Sequence, residues 1–138
     1  MSQEPLRDET AKMSLPPSLS AIVVDDQRGL AELLAERLAM DGIRATVATS
    51  AGEALRVCSS QHFDVAFVDL RLPDMSGIAT AAELKKLSGA TKVILMTGFA
   101  TSLEDAEAGW PQVDGVLPKP WRPGELESLL RVVGRRES

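Results

Sequence analysis

The chain has 138 residues, of which 44% are hydrophobic and 25% charged, the size and make-up of about one globular domain. Its 20 acidic side chains outnumber 15 basic ones, and the net charge of −5 argues against the basic face that binding to nucleic acid or an anionic membrane requires. No apolar run approaches the ~20 residues of a membrane span, and Met1-Ser-Gln-Glu-Pro5 lacks both the basic and the apolar region of a secretory signal. A lone cysteine, Cys58, excludes an internal disulfide and fits a reducing, cytoplasmic setting. With one His and one Cys, a zinc site of the usual kind is excluded, so any metal must be held by carboxylates and carbonyls.

Residues 1–20 show no apolar periodicity, contain Pro5, Pro16 and Pro17, and are expected to form a flexible tail. The domain is expected over residues 21–134, followed by a frayed end at 135–138. Ala21-Ile-Val-Val24 is a continuous β-branched run that ends in Asp25-Asp26. Leu30, Leu33, Leu34 and Leu38 then form a helical stripe that stops at Asp41-Gly42. Ile43, Ala45 and Val47 alternate as a short strand. Ser50-Ala-Gly-Glu53 is a capping box, opening a helix with Ala51, Ala54, Leu55 and Cys58 on one face. Val65-Ala-Phe-Val68 is a second apolar run, ending in Asp69, and a helix is expected from Ser76-Gly77 to about Leu87. Val93-Ile-Leu-Met96 is a third, ending in Thr97-Gly98. Thr101-Ser-Leu-Glu104 is another capping box, for a short helix cut off at Gly109-Trp110-Pro111. Gly115-Val-Leu117 reads as the last strand and leads to Lys119-Pro120. Pro123 opens a final helix whose inward stripe is Leu126, Leu129, Leu130 and Val133.

Five strands thus alternate with five helices. Continuous hydrophobicity in three strands indicates burial on both faces, which points to an α/β fold with a parallel sheet between helical layers and right-handed crossovers. In such sheets, sites form at the carboxyl ends of the strands. Those ends carry Asp25, Asp26, Asp69, Thr97 and Lys119. One aspartate after a strand is an ordinary loop residue, but three converging carboxylates repel one another and call for a cation. All-oxygen ligation suits Mg²⁺. Together with a hydroxyl and a lysine, this set suits phosphoryl transfer, with Asp69 as the nucleophile and with Mg²⁺, Lys119 and Thr97 each holding one phosphoryl oxygen.

Four motifs occur in order: Val23-Val-Asp25-Asp26, Phe67-Val-Asp69-Leu-Arg-Leu-Pro73-Asp-Met-Ser-Gly77, Met96-Thr97-Gly98 and Lys119-Pro120. In these the chain resembles the CheY-like receiver domains of two-component response regulators, from Ile22 to Val133. The resemblance implies a flavodoxin-like (βα)5 fold with strand order 2-1-3-4-5 and helices on both faces. It implies phosphorylation of Asp69 by a phosphohistidine of a sensor histidine kinase or a histidine phosphotransfer protein. Mg²⁺ would be held by Asp26, Asp69 and the backbone carbonyl of Arg71, with Asp25 acting through water. Thr97 and Lys119 would sense the phosphoryl group, and the Lys119–Pro120 bond is expected to be cis.

The sequence also departs from the family pattern. Val116 stands where a Tyr or Phe commonly couples to the threonine, so the output is expected to pass through the loop after Thr97 or through Trp110. Pro118 suits only an edge strand, which the last strand is in that order. Gly109-Trp110-Pro111 shortens the fourth helix and puts the common dimerisation mode in doubt. Arg71 and Phe99 flank the path of the hydrolytic water, and Arg71 is expected to alter the lifetime of the acyl phosphate. Cys58 reads as core, His62 as surface, and Met40 and Met75 as packing. A haloacid-dehalogenase-type phosphatase needs a second Asp where Arg71 stands, and no phosphate-binding glycine loop follows a strand. The chain is therefore expected to be a phosphoacceptor and not an enzyme. A phosphorylation-independent pseudo-receiver is the alternative. Only Gly134 to Ser138 follow Val133, so no DNA-binding effector is expected here, and the downstream partner is open. That length fits a stand-alone regulator or a receiver from a larger one.

Overall fold

The computed structural model describes residues 19–98 and 113–134. Five strands lie in one parallel sheet: β1 (Ser20–Val24), β2 (Arg44–Ala48), β3 (Val65–Asp69), β4 (Lys92–Gly98) and β5 (Gly115–Lys119). Their order is β2-β1-β3-β4-β5, as the resemblance implies. Four helices are described: α1 (Arg28–Met40), α2 (Ala51–Cys58), α3 (Gly77–Leu87) and α4 (Pro123–Gly134). The expected helix from Thr101, the Gly109-Trp110-Pro111 segment, Phe99, the tail up to residue 18 and residues 135–138 lie outside the described residues.

Successive side chains of a strand point to opposite faces, so a strand buried on both sides needs an unbroken apolar run. β3 is such a strand, buried along its whole length. Val23, Phe67, Ile94, Met96 and Leu117 face one layer with Leu34 and Leu38 of α1 and Leu126 of α4. Ile22, Val24, Ala66, Val68 and Leu95 face the other, with Ala54 of α2 and Ala81 and Leu84 of α3. The two outer strands, β2 and β5, are only partly buried, and Pro118 lies in β5, the edge where a missing amide donor is tolerated.

The helix ends follow local chemistry. Ser76 Oγ accepts from the Ala79 amide at the start of α3. The capping box at α2 forms in half: Ser50 Oγ accepts from the Glu53 amide, but the Glu53 carboxylate turns to the Thr49 amide and hydroxyl instead of to Ser50. Gly42, at φ +82°, supplies the left-handed turn after α1.

Two expectations about packing are corrected. Leu30 and Leu33 are 40% and 54% exposed; only Leu34 and Leu38 of that stripe reach the core. Met40, the last residue of α1, is 79% exposed and does not pack. Cys58 sits half-buried against the α2–α3 side of the core, and His62 is exposed, as expected. Leu129 and Leu130 pack against the α1–α4 layer, while the Val133 side chain lies outside the described residues.

Candidate functional site

Parallel strands bring their carboxyl ends to one edge of the sheet, and the turns that leave that edge carry the chemistry. β1 runs straight into Asp25, which is buried and whose amide donates to the Ala48 carbonyl at 3.0 Å. Asp26 follows and is exposed. On the central strand, Asp69 ends β3 opposite Met96 of β4, and Thr97 lies one residue further along, fully buried. Lys119, at the end of β5, pairs in register with Gly98. Asp25, Asp26, Asp69, Thr97 and Lys119 therefore all stand at one edge of the sheet. The Lys119–Pro120 bond is cis, as the resemblance implies.

Asp25, Asp26 and Asp69 each place a carboxylate oxygen within 4.8 Å of the others. The Lys119 ammonium donates to Asp25 Oδ2 at 2.9 Å and to Asp69 Oδ2 at 3.4 Å. Asp25 Oδ1 in turn accepts from the Gln27 amide at 3.0 Å, at the start of α1. Both oxygens of Asp25 are thus engaged within the protein. One ammonium faces three carboxylates, so the cluster retains an excess of negative charge open to solvent at Asp26.

Burial pushes the Asp69 carboxyl above its usual range; the Lys119 charge opposes this and the Asp25 charge adds to it. Burial alone would lower Lys119, but its bond to Asp25 and the charges of Asp69 and Asp25 outweigh that and raise it, so it stays a cation. By contrast, burial lifts the Cys58 thiol to about 11, which removes it as a nucleophile at neutral pH.

The turn after Asp69 is tied at its base. The Gly77 amide donates to the Leu70 carbonyl at 2.7 Å, Arg71 and Ser76 form an antiparallel bridge, and the Arg71 amide donates to Asp69 Oδ1 at 3.3 Å. Arg71, two residues after Asp69, is exposed and lines the groove at the site. The groove runs from Asp26 and Asp69 past Leu30 and Leu33 to Pro120 and Trp121.

The donor set fits a small, oxygen-seeking divalent ion. Three carboxylates facing one ammonium at a solvent-facing edge suit Mg²⁺ better than a metal that seeks nitrogen or sulfur ligands. One residue near the site went unassigned in the sequence. Asp74, at the tip of the same turn, accepts from the Ala51 amide at 3.0 Å and the Gly52 amide at 2.9 Å, the first two amides of α2. The only local hint is an Asp following Pro73 in a turn; its partners lie more than twenty residues earlier.

Comparison with known proteins gives the class. A family model for the response regulator receiver domain matches residues 21–131. The chain belongs to that family. The transcriptional regulatory protein GlrR of Escherichia coli (strain K12) is 33% identical over 112 residues, covering 81% of this chain and 24% of that protein. The transcriptional regulatory protein CpxR of Klebsiella pneumoniae is 33% identical over 115 residues, covering 83% and 49%. The chain thus spans about a quarter to a half of the length of these relatives. Among solved structures, the CheY-like receiver domain protein from Methanospirillum hungatei JF-1 matches with a TM-score of 0.78 at 28% identity, covering 88% of this chain and 98% of that one. The response regulator TrrA from Thermotoga maritima, solved in complex with Mg(2+)-BeF, matches with a TM-score of 0.74 at 29% identity, covering 83% and 98%. No helix among the described residues is long and apolar enough to cross a membrane.

Proposed function

We propose that this receiver domain is a phosphoacceptor switch that takes a phosphoryl group on Asp69 from the phosphohistidine of a sensor histidine kinase or histidine phosphotransfer protein, in the cytoplasm. The observation that carries this reading is the placement of Asp69 on the central strand, between the Lys119 ammonium and the open side of an acidic cluster. An Asp69 carboxylate oxygen attacks phosphorus, the P–N bond of the phosphohistidine breaks, and its electron pair goes to the departing imidazole. Lys119 is already within reach of Asp69 and moves onto a phosphoryl oxygen as Asp69 loses its charge. The Thr97 hydroxyl would bond another, a role supported by its position at the end of β4, one residue beyond the partner of Asp69. Asp26, Asp69 and the Arg71 carbonyl are the groups that would hold Mg²⁺, and Asp25, with both oxygens engaged, would act through water. When bound, Mg²⁺ supplies charge that offsets the repulsion between carboxylates and phosphoryl oxygens.

The chain acts once per phosphoryl group and is not a turnover enzyme. Arg71, exposed two residues after Asp69, is the candidate for changing the lifetime of the phosphoryl group, which the half-life in Arg71→Ala tests. Phosphorylation biases a two-state surface and so changes what that surface binds. The family's aromatic coupling position holds Val116, so the change passes through the loop after Thr97 or through Trp110. A phosphorylation-independent module is disfavoured, because the acidic, threonine and lysine positions are all filled.

Incubation with acetyl phosphate and Mg²⁺, read by intact mass, tests the proposal. The expected result is the gain of one phosphoryl group that is absent in Asp69→Ala. A wild-type chain that gains none, while binding Mg²⁺, would establish the pseudo-receiver instead.

A further inference from the structure

We propose that Asp74 is a positioning residue for the cation: by taking the first two amides of α2, it locks the turn that carries the Arg71 carbonyl, so that Mg²⁺ binding and the order of the α2 N-terminus are coupled. The inference rests on the metal site proposed above. The turn from Leu70 to Gly77 has two anchors. Its base is closed by the Gly77 amide on the Leu70 carbonyl and by the Arg71–Ser76 bridge. At its tip the Asp74 carboxylate reaches across to α2, with one oxygen on the Ala51 amide and the other on the Gly52 amide.

The α2 end is built to receive it. Ser50 and its carbonyl serve the amides of Glu53 and Ala54, which leaves those of Ala51 and Gly52 for a partner from outside the helix. Gly52 has no side chain there, and a Cβ would come within 3.3 Å of Asp74 Oδ2, so the glycine admits the carboxylate at close range. Charge-assisted bonds at a helix N-terminus are among the stronger ones, and they hold the turn from its far side. The same bonds keep the Asp74 carboxyl below its usual range.

Coupling of this kind is reciprocal. A cation on the Arg71 carbonyl rigidifies the turn and so protects the α2 amides, and loss of the Asp74 bonds frees the turn and weakens the cation. Groups that orient metal ligands from behind typically contribute about 10–100-fold to metal affinity. Because Asp74 acts on a backbone turn and not on a ligand side chain, the expected loss is at the lower end, about tenfold.

Mg²⁺ titration of the full chain, followed by tryptophan fluorescence, and hydrogen exchange at the Ala51 and Gly52 amides test this. In the wild type, Mg²⁺ should slow exchange at both amides. Asp74→Ala should weaken Mg²⁺ about tenfold and abolish the effect of Mg²⁺ on those amides; Asp74→Asn, which keeps one acceptor oxygen, should fall between. Ser50→Ala removes a cap bond from the same helix while leaving the Asp74 bonds in place, so it should lower the melting temperature and weaken Mg²⁺ far less than Asp74→Ala does. If Asp74→Ala lowers the melting temperature as Ser50→Ala does, but binds Mg²⁺ like the wild type, the coupling is overturned while the metal site stands. If the wild type binds no Mg²⁺, both fall.

Discussion

Lys119 holds Asp69 at 3.4 Å while bonding Asp25 more closely at 2.9 Å, so the central carboxylate has the weaker claim on the only described cation that faces it. This arrangement leaves Asp69 partly uncompensated. A carboxylate that is buried and next to another costs folding free energy unless a cation offsets it.

The first prediction follows from that cost. Asp69→Asn removes one of the three clustered charges and should stabilise the metal-free fold. It should also abolish the stabilisation that Mg²⁺ gives to the wild type. Urea unfolding with and without Mg²⁺ measures both. A variant less stable than the wild type in the absence of metal would show that Asp69 is adequately paired.

The pH dependence has a definite sign. The Asp69 carboxyl is raised above its ordinary value of 3.8 by burial, in spite of Lys119. Between 3.8 and the raised value, the folded chain binds more protons than the unfolded one, so the stability of the metal-free protein falls as pH climbs through that window. Asp74 is lowered by its bonds to Gly52 and Ala51 and runs the other way, giving stability that is present above 3.8 and lost as pH falls through its folded value. Asp69→Asn should therefore flatten the descending part of the profile and leave the acid limb, and Asp74→Ala should do the reverse. Mg²⁺, which needs the ionised carboxylate, should bind more tightly as pH rises through the same window.

Leu30 and Leu33 are exposed beside the acidic cluster, at 40% and 54%, and line the groove with Trp121. An exposed leucine can be replaced by a charge at a cost within about 0.5 kcal/mol. Leu33→Glu should leave the melting temperature and phosphorylation by acetyl phosphate nearly unchanged, because neither uses the rim. Transfer from a phosphorylated histidine phosphotransfer protein should slow, because a protein donor must cover the groove to bring its imidazole to Asp69. Equal slowing with both donors would show that Leu33 acts on the site and not on the donor.

Much of this was legible in the sequence where a pattern is local. Val65 to Asp69 announces a strand buried on both faces, and Asp25, Asp69, Thr97 and Lys119 stand at the ends of such runs. The four motifs then carried the strand order, which periodicity alone does not set. Leu30 and Leu33 were misread because helical spacing assigns a side chain to a stripe without showing what lies beneath it. At the start of α1 that is the groove at the strand ends, not the sheet. The Glu53 carboxylate settled on Thr49 because both the amide and the hydroxyl of that residue were within its reach. Asp74 was invisible as an anchor, since its partners Ala51 and Gly52 are joined to it only by the fold.

The last prediction concerns the backbone behind Asp69. A Cβ on Gly77 would lie 2.3 Å from the Asp69 carbonyl oxygen and 2.7 Å from Leu70 Cα, neither of which can rotate aside. Gly77→Ala must therefore push α3 and the end of β3 apart, and should destabilise by about 3 kcal/mol. The same displacement shifts Asp69 relative to Lys119, and a misplacement of ~1 Å at a reacting group can cost on the order of 100-fold in rate. Phosphorylation by acetyl phosphate should accordingly slow by more than the loss of folded protein explains. Gly29 provides the contrast within the same chain. It lies in the first turn of α1 with nothing within 4 Å of an added Cβ, so Gly29→Ala should stabilise by about 0.5–1 kcal/mol through helix propensity and leave the rate unchanged. Circular dichroism melts paired with intact-mass time courses separate the two, and a Gly77→Ala chain that folds and reacts like Gly29→Ala would refute the close approach of α3 to the Asp69 backbone.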